Sequence, residues 1–323
     1  MAYAIQVHEL GGPEVLRETP VEVGEPGPNE VRVRHTAIGL NFIDVYERTG
    51  LYKSELPLTL GREAAGVVEA VGTRVKHVQV GQRVAYATGK SGAYCDVRLV
   101  PADLLVPLPD AIDDRMAAAI MLKGLTVQTL LRQVHRVRKG EVLLIHAAAG
   151  GVGSIAVQWA KHLGAKVIAT VGSQAKAELV RGLGADHVFL YDEDWVTQAR
   201  SLTKGKGVDV VYDSVGKDTF TGSLDTLRKR GLMATFGNSS GPVPPFAPLE
   251  LSRRGSLFLT RPTLFDYVPT RSTLTRAANE LFDVVTRGIV RVQIGQTYPL
   301  REVARAHADL EARRTTGSTV LEP

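Results

Sequence analysis

The sequence predicts an α/β protein in which a doubly wound parallel sheet domain accompanies a smaller, mostly β domain. Three observations carry this expectation. At 323 residues the chain is too long for one ordinary core and long enough for two. Roughly its first 120 residues are short β-branched runs punctuated by glycine and proline. From Gly140 onward, continuous apolar runs alternate with helix-patterned segments.

In order along the chain, VRVRHTAIGL (31–40), GVVEAVG (66–72), GQRVAYA (81–87) and DVRLVPADLLVPLP (96–109) read as strands of a compact, mostly antiparallel region. At Asp113 the pattern changes to DDRMAAAIMLKGLTVQTLLRQV, whose alanine, leucine and apolar spacing suit helix. A boundary is expected near 124. EVLLIHAA (141–148), KVIATV (166–171), HVFLY (187–191), VDVVYDSV (208–215), GLMATFG (231–237) and SLFLT (256–260) then read as strands. VGSIAVQWAKHLGA, QAKAELVRGLGA and TFTGSLDTLRKR read as the helices between them. Strands apolar on both faces and joined by helices imply a parallel sheet covered on both sides. From about Asp266 a helical segment, STLTRAANELFDVVTRG, leads to a last strand and helix, and GSTVLEP reads as a strand returning to the first domain. The expected division is therefore 1–124 completed by 266–323, with 125–265 as the sheet domain.

Composition narrows the classes of function. With 44% hydrophobic and 23% charged residues the chain is neither disordered nor fibrous. No window approaches the roughly 18 uninterrupted apolar residues of a membrane span. The start, MAYAIQVHELGG, lacks a basic region followed by an apolar one, so a cytoplasmic location is expected. Cys95 is the only cysteine, which excludes an intrachain disulfide and any multi-cysteine zinc site. The net charge of +5 is spread among interleaved acidic residues, so attraction for an anionic cofactor or simple solubility explains it better than a nucleic-acid partner does.

The most informative segment is EVLLIHAAAGGVGSIAVQWAKHLGAKVIATVGS. Ala149, Gly150, Gly151, Val152 and Gly153 form a turn from strand into helix, where small residues let a pyrophosphate reach the free N–H groups at the helix start. A glycine cluster alone is weak evidence, but the strand before it, the helix after it and a second strand about twenty residues on make the dinucleotide-binding context. At the end of that second strand an NAD site usually carries Asp or Glu for the ribose 2′-OH. Here stand Gly172, Ser173 and Lys176, a hydroxyl and an ammonium suited to a 2′-phosphate, so NADPH is the expected cofactor.

Gly140-Glu141, Leu144, Ala148-Ala149-Gly150-Gly151, Gly153, Gln158 and Lys161 together resemble the signature of the quinone oxidoreductase and zeta-crystallin branch of the medium-chain dehydrogenase/reductase superfamily. The resemblance runs the length of the chain through GGPEVL, AIGLNFIDVYERTGLY, GREAAGVVEAVG, MLKGLTVQTLL, VVYDSVG, GLMATFGNSSG and SLFLTRP. It implies a GroES-like catalytic domain beside a Rossmann domain, and NADPH-dependent reduction of quinones. Zinc-dependent relatives carry a cysteine near position 41 and a Gly-His-Glu turn. This chain has Asn41 and Gly61-Arg62-Glu63 instead, so no metal is expected. Without a Lewis acid, alcohol oxidation is a poor candidate, whereas an electrophilic quinone or activated alkene remains reducible.

The same resemblance implies residue roles. Asn41 and Thr126 approach the nicotinamide, and Asp44, Tyr46 and Tyr52 follow on the substrate segment, the tyrosines offering flat faces and hydroxyls to a quinone. Gly172, Ser173 and Lys176 take the 2′-phosphate, with Tyr191 stacking or hydrogen-bonding nearby and Arg313 reaching in from the carboxyl-terminal segment. Ser214 and Val215, then Phe236, Gly237, Asn238 and Ser239, end successive strands on the cofactor side, and Arg261 ends another. His146 and Trp159 are expected in the core, and Cys95 as a small buried hydrophobe. Reduction of activated alkenes stays open as a second activity, and a nucleic-acid-binding or crystallin-like role as a reading of another class. Relatives pair through the sheet edge, so a homodimer joined along SLFLT is expected.

Overall fold

The computed structural model describes residues 2–323. The chain forms two compact units, one of Met1–Leu125, Val268–Thr286 and Val292–Pro323, the other of Thr126–Tyr267 and Arg287–Arg291.

The first unit holds β1 (Ala2–Val7), β2 (Leu16–Val21), β3 (Glu30–Leu40), β4 (Leu58–Thr59), β5 (Glu63–Val71), β6 (Arg83–Ala87), β7 (Val97–Pro101) and β8 (Val106–Pro107). Its later segments add β15 (Ile294–Pro299) and β16 (Ser318–Glu322). The long strand β3 organises this unit: Val31 and Val33 are fully buried while Arg34 points to solvent, the period-two pattern of a half-buried strand. It pairs antiparallel with β5, β7 and the carboxyl-terminal β16, and β15-β16-β3-β5-β6-β8 run in that order. β2, β1 and β4 make a separate small sheet. Val7, Ile38, Leu60, Tyr86 and Leu105 lie in one core with Leu300 and Leu321 from the last segment.

The second unit is built on β9 (Val142–Ile145), β10 (Lys166–Val171), β11 (His187–Leu190), β12 (Val208–Asp213), β13 (Leu227–Thr235) and β14 (Phe258–Thr260). All five neighbouring pairs are parallel, in the order β11-β10-β9-β12-β13-β14. The winding therefore reverses between β9 and β12, and ligands of such sheets collect beside that reversal, at the strands' carboxyl ends. β14 occupies one edge, with Phe258 56% exposed. In one place the helical reading was too long. The helix Phe220–Thr226 stops at its extended cap Leu227, and Leu227-Arg228-Lys229-Arg230 already opens β13. Leu227 pairs with Val208 and is buried in the core with Phe220 and Leu224, a tertiary contact that outweighs the helical propensity of LRKR. Arg287–Arg291 joins this unit through Gln158, whose amide donates to the Arg291 carbonyl (3.1 Å) and accepts from its N–H (2.9 Å).

Candidate active site

Because every strand of the second unit runs the same way, the segments following them share one edge. There lie Ala149–Gly153 after β9, Gly172, Ser173 and Lys176 after β10, and Tyr191 after β11. Ser214 and Val215 follow β12, Phe236–Ser239 follow β13, and Arg261 follows β14. The glycine turn and the Asp213–Gly216 turn sit on β9 and β12, the two strands of the reversal.

Gly150 is the cap of the helix Gly151–His162, and Ser154 N–H reaches the Gly150 carbonyl at 2.8 Å. A Cβ on Gly153 would lie 2.5 Å from the Ala147 carbonyl oxygen and 2.6 Å from Ala148 Cα, so only glycine lets the helix start this close to the strand end. Ala147 takes a left-handed backbone (φ 50°), and its N–H donates to the Tyr191 hydroxyl at 2.8 Å. Tyr191 thereby braces the turn, and its ring stacks on buried His146 with centroids 6.1 Å apart. His146 bonds Thr170 (2.6 Å) and Ser223 (2.9 Å), and Ser223 donates to Asp213 (3.1 Å). Burial holds the His146 pKa down. Asp213 in turn accepts from the N–H groups of Val215 (2.7 Å) and Gly216 (3.0 Å), which fixes the β12 turn. Arg261 donates to the Gly237 carbonyl (2.9 Å) and Thr235 (3.1 Å), tying the β13 turn to β14.

At the β10 end Ser173 caps the helix Gln174–Gly182, its hydroxyl oxygen accepting from Lys176 N–H at 3.4 Å. Ser173 is exposed and Lys176 half-buried, with no carboxylate at 172–176. This donor set fits a 2′-phosphate, and the glycine cradle fits a pyrophosphate.

In the first unit, Asn41 begins the helix Phe42–Arg48. Its side-chain amide donates to Glu63 (2.8 Å), and its main-chain N–H donates to Asp44 (2.9 Å). Glu63 is fully buried and also accepts from Lys123 Nζ (2.6 Å) and Leu122 N–H (2.5 Å). Gly39 leaves the space, since a Cβ there would overlap the Glu63 carboxylate. Tyr46 and Tyr52 meet edge to face at 5.3 Å, with Phe42 against Tyr46 at 6.1 Å.

Asp44 is also fully buried and accepts from the Tyr94 hydroxyl (2.8 Å), while its Oδ1 has no hydrogen-bond partner among the described residues. Behind Tyr94 the bonding has one direction. Arg48 can only donate, so His307 accepts at Nδ1 (3.0 Å) and donates from Nε2 to the Tyr94 oxygen (3.1 Å). Burial and the adjacent Arg48 guanidinium lower the His307 pKa to about 3, and burial raises that of Asp44 to about 7. A carboxyl with a raised pKa keeps its proton in the folded state where the unfolded chain has released it. Its stabilising contribution is thus complete below the ordinary carboxylate value and lost as pH rises through about 7. Asp44→Asn, which imitates the protonated form, is expected to flatten the fall in thermal midpoint between pH 5 and 8, by an amount equivalent to at most about 3 kcal/mol, the two pH units between 5 and about 7. An unchanged pH dependence would sink this assignment.

The structure thus brings the cofactor-side candidates of the second unit to one sheet edge and gathers Asn41, Asp44, Tyr46 and Tyr52 on one helix and the turn after it. Thr126 is half-buried in the helix Asp114–Thr129. Arg313, left-handed at φ 58° and exposed, follows the helix Val303–Glu311 of the first unit. Sequence reasoning passed over Glu63 and Lys123 as site residues and missed the brace at Ala147. Glu63 was visible in the Gly-Arg-Glu turn, and Lys123 stands three residues before Thr126. Among the described residues no group of three or more His, Cys, Asp or Glu could hold a metal, and no helix is long and apolar enough to cross a membrane.

A parallel sheet with a glycine turn at its reversal, accompanied by a β unit that carries an Asn-capped polar cluster, defines a dinucleotide-binding oxidoreductase of the medium-chain type. Family models agree: residues 27–110 match the alcohol dehydrogenase GroES-like domain and 151–280 the zinc-binding dehydrogenase domain. A quinone oxidoreductase of Pseudomonas aeruginosa is 54% identical over the whole of both chains. The crystal structure of Escherichia coli quinone oxidoreductase complexed with NADPH superposes with a TM-score of 0.98 at 50% identity, covering 99% of this chain and 100% of that one. A 2-haloacrylate reductase of a Burkholderia species is 48% identical over 100% of this chain and 99% of its own. The chain belongs to the quinone oxidoreductase family of the medium-chain dehydrogenase/reductase superfamily.

Proposed function

We propose that the protein reduces quinones with NADPH and does so without zinc. The observation that carries the cofactor is the β10 end, where Ser173 and Lys176 replace the carboxylate of an NAD site. The quinone rests on the full-length likeness to the Pseudomonas and Escherichia relatives. When bound, NADPH supplies the hydride. Ala149–Gly153 bind its pyrophosphate through main-chain N–H groups, and Ser173 and Lys176 bind the 2′-phosphate. Tyr191 and Asp213 keep the turns around it in place, and Ser214, Val215, Phe236–Ser239 and Arg261 line the same edge. Thr126 and Arg313 are proposed as further cofactor contacts.

Asn41, Tyr46 and Tyr52 are proposed to bind and orient the acceptor. Asp44, buried beneath the helix start, acts as a positioning residue through the Asn41 N–H. The proton that completes hydroquinone formation comes from water or a tyrosine hydroxyl, since the reduced oxygen is acidic enough to need no stronger donor.

The donor chemistry opposes zinc at the two positions that hold its ligands in the zinc-dependent branch of the superfamily. Asn41 turns its amide N–H₂ to Glu63, Arg62 is a cation paired with Glu47, and the Glu63 carboxylate is already engaged by Lys123. Steady activity after dialysis against a chelator is the expected result, and loss restored by zinc would reject it.

Assays of the purified protein with NADPH and NADH against quinones, haloacrylates, alkenals and enoyl thioesters test the whole reading. Activity confined to the alkenes would replace quinones with the second substrate class, which the 2-haloacrylate reductase relative keeps in view. Lys176→Gln is expected to raise KM for NADPH about 10- to 100-fold, the worth of a charge-assisted phosphate contact, and to leave NADH use unchanged. An equal effect on both cofactors would remove Lys176 from the phosphate site.

A homodimer joined along β14 is also proposed. That strand is an open edge with Phe258 exposed, and Leu249 and Phe246 are exposed too. Light scattering should return twice the 34.9 kDa chain mass, and a monomer at micromolar concentration would reject the pairing.

A further inference from the structure

The opposite edge of the same sheet, where β12 and β13 begin, carries a second concave surface that the proposed reaction does not use. It is an open cleft of about 750 Å³ at the start of β13, between the turn that precedes β12 and the end of the helix Leu249–Arg253. Six cationic side chains line it: Arg200, Lys206, Arg228, Lys229, Arg253 and Arg254. Three carboxylates compensate part of this charge: Asp209 pairs with Arg228 (2.6 Å), Asp225 with Arg254 (2.6 Å), and Glu250 with Arg253 (2.8 Å).

The other three cations have no carboxylate. Arg200 donates to the main-chain carbonyls of Asp225 (3.0 Å) and Gly205 (2.6 Å), which hold its guanidinium in place without neutralising it. Lys206 and Lys229 are exposed and make no side-chain hydrogen bond or ion pair with any described residue. A guanidinium held by two carbonyls, lining the same cleft as two exposed ammonium groups, is a donor set that suits phosphate oxygens, the arginine giving direction and the lysines charge. Concentrating uncompensated charge of one sign in a cleft also raises the local concentration of counter-ions.

We propose that this cleft binds a small oligophosphate, either free or as the phosphate tail of a nucleotide, at a site separate from the NADPH cradle. The apolar lining is aliphatic, Leu224 and Leu227, with no aromatic ring on which a base could stack. Proteins that hold single-stranded nucleic acid combine a basic groove with aromatic platforms, so the phosphate group itself is what this surface recognises.

The test is calorimetric titration of tripolyphosphate into the NADPH-saturated protein, which keeps the probe out of the cofactor site, with ATP and a single-stranded RNA oligomer as parallel arms. Wild-type protein should bind tripolyphosphate saturably at low salt, and Lys206→Gln with Lys229→Gln should weaken it about tenfold or more. NADPH affinity and the quinone rate of that double variant should be unchanged. Equal affinity for tripolyphosphate and ATP would assign the phosphate chain alone, and tighter ATP binding a nucleotide tail. No saturable binding, or binding indifferent to the two substitutions, would overturn the proposal. RNA binding far tighter than tripolyphosphate and lost in the double variant would overturn it in favour of nucleic acid.

Discussion

Gly153→Val should weaken NADPH binding by at least about 100-fold and destabilise the second unit by about 2–3 kcal/mol. The added Cβ would stand 2.5 Å from the Ala147 carbonyl oxygen and 2.6 Å from Ala148 Cα. Both are main-chain atoms, and neither can move freely: the Ala147 N–H is held by the Tyr191 hydroxyl, and Ala148 N–H donates to the Thr170 carbonyl at 3.2 Å. The helix Gly151–His162 must therefore withdraw from the strand end, and its first N–H groups leave the place where a pyrophosphate meets them. Titration by cofactor fluorescence reads the affinity, and urea denaturation the stability. Binding within threefold of wild type would show that the turn is not the cradle. Tyr191→Phe serves as a milder companion, because it keeps the ring and removes the acceptor of the Ala147 N–H, and it should cost about 1–3 kcal/mol.

Glu63→Ala should cost about 3–5 kcal/mol of stability, the penalty for leaving one member of a buried ion pair without its partner. The substitution strips Lys123, 5% exposed, of its carboxylate. It also leaves the Leu122 N–H and the Asn41 amide without the acceptor they share. Since Asn41 starts the helix proposed to orient the acceptor, activity should fall with stability. The double variant Glu63→Gln with Lys123→Met removes both charges together and should recover much of the loss, and the cycle it closes with Glu63→Gln and Lys123→Met alone isolates the pair. A loss below about 1 kcal/mol in the single variant would mean that water already reaches Lys123.

These two positions differ in how far they could be read from the chain. Gly153 stands in a local pattern: the apolar run 141–148, a stretch of small residues, then helical periodicity. Backbone geometry at such a junction depends on neighbours within a few residues, so the turn and the segments that end each strand were legible, and a parallel sheet brings those ends to one edge. Glu63, Lys123 and Asn41 lie 22 and 60 residues apart in their contacts, and nothing in their local patterns links them. A lysine within an apolar helical stretch reads as a surface charge until a buried carboxylate is placed against it. The same holds for Asp44, whose partner Tyr94 lies in the bend before β7, and for Tyr94's own partner His307, which stands in the helix Val303–Glu311.

By itself the sequence determined the fold class, the glycine turn, the absence of an acidic residue after β10 and the amide and guanidinium at the two positions where relatives place zinc ligands. These depend on residue type and short-range periodicity, which folding does not alter. Only the tertiary structure decided that the helix before β13 ends at Thr226, that Tyr191 braces a left-handed Ala147, that Glu63 engages both Asn41 and Lys123, and that a basic cleft opens at the other end of the sheet. Each of these is a matter of burial and of partners distant in sequence, and burial is what turns an ordinary charge or hydroxyl into a costly and therefore organised group.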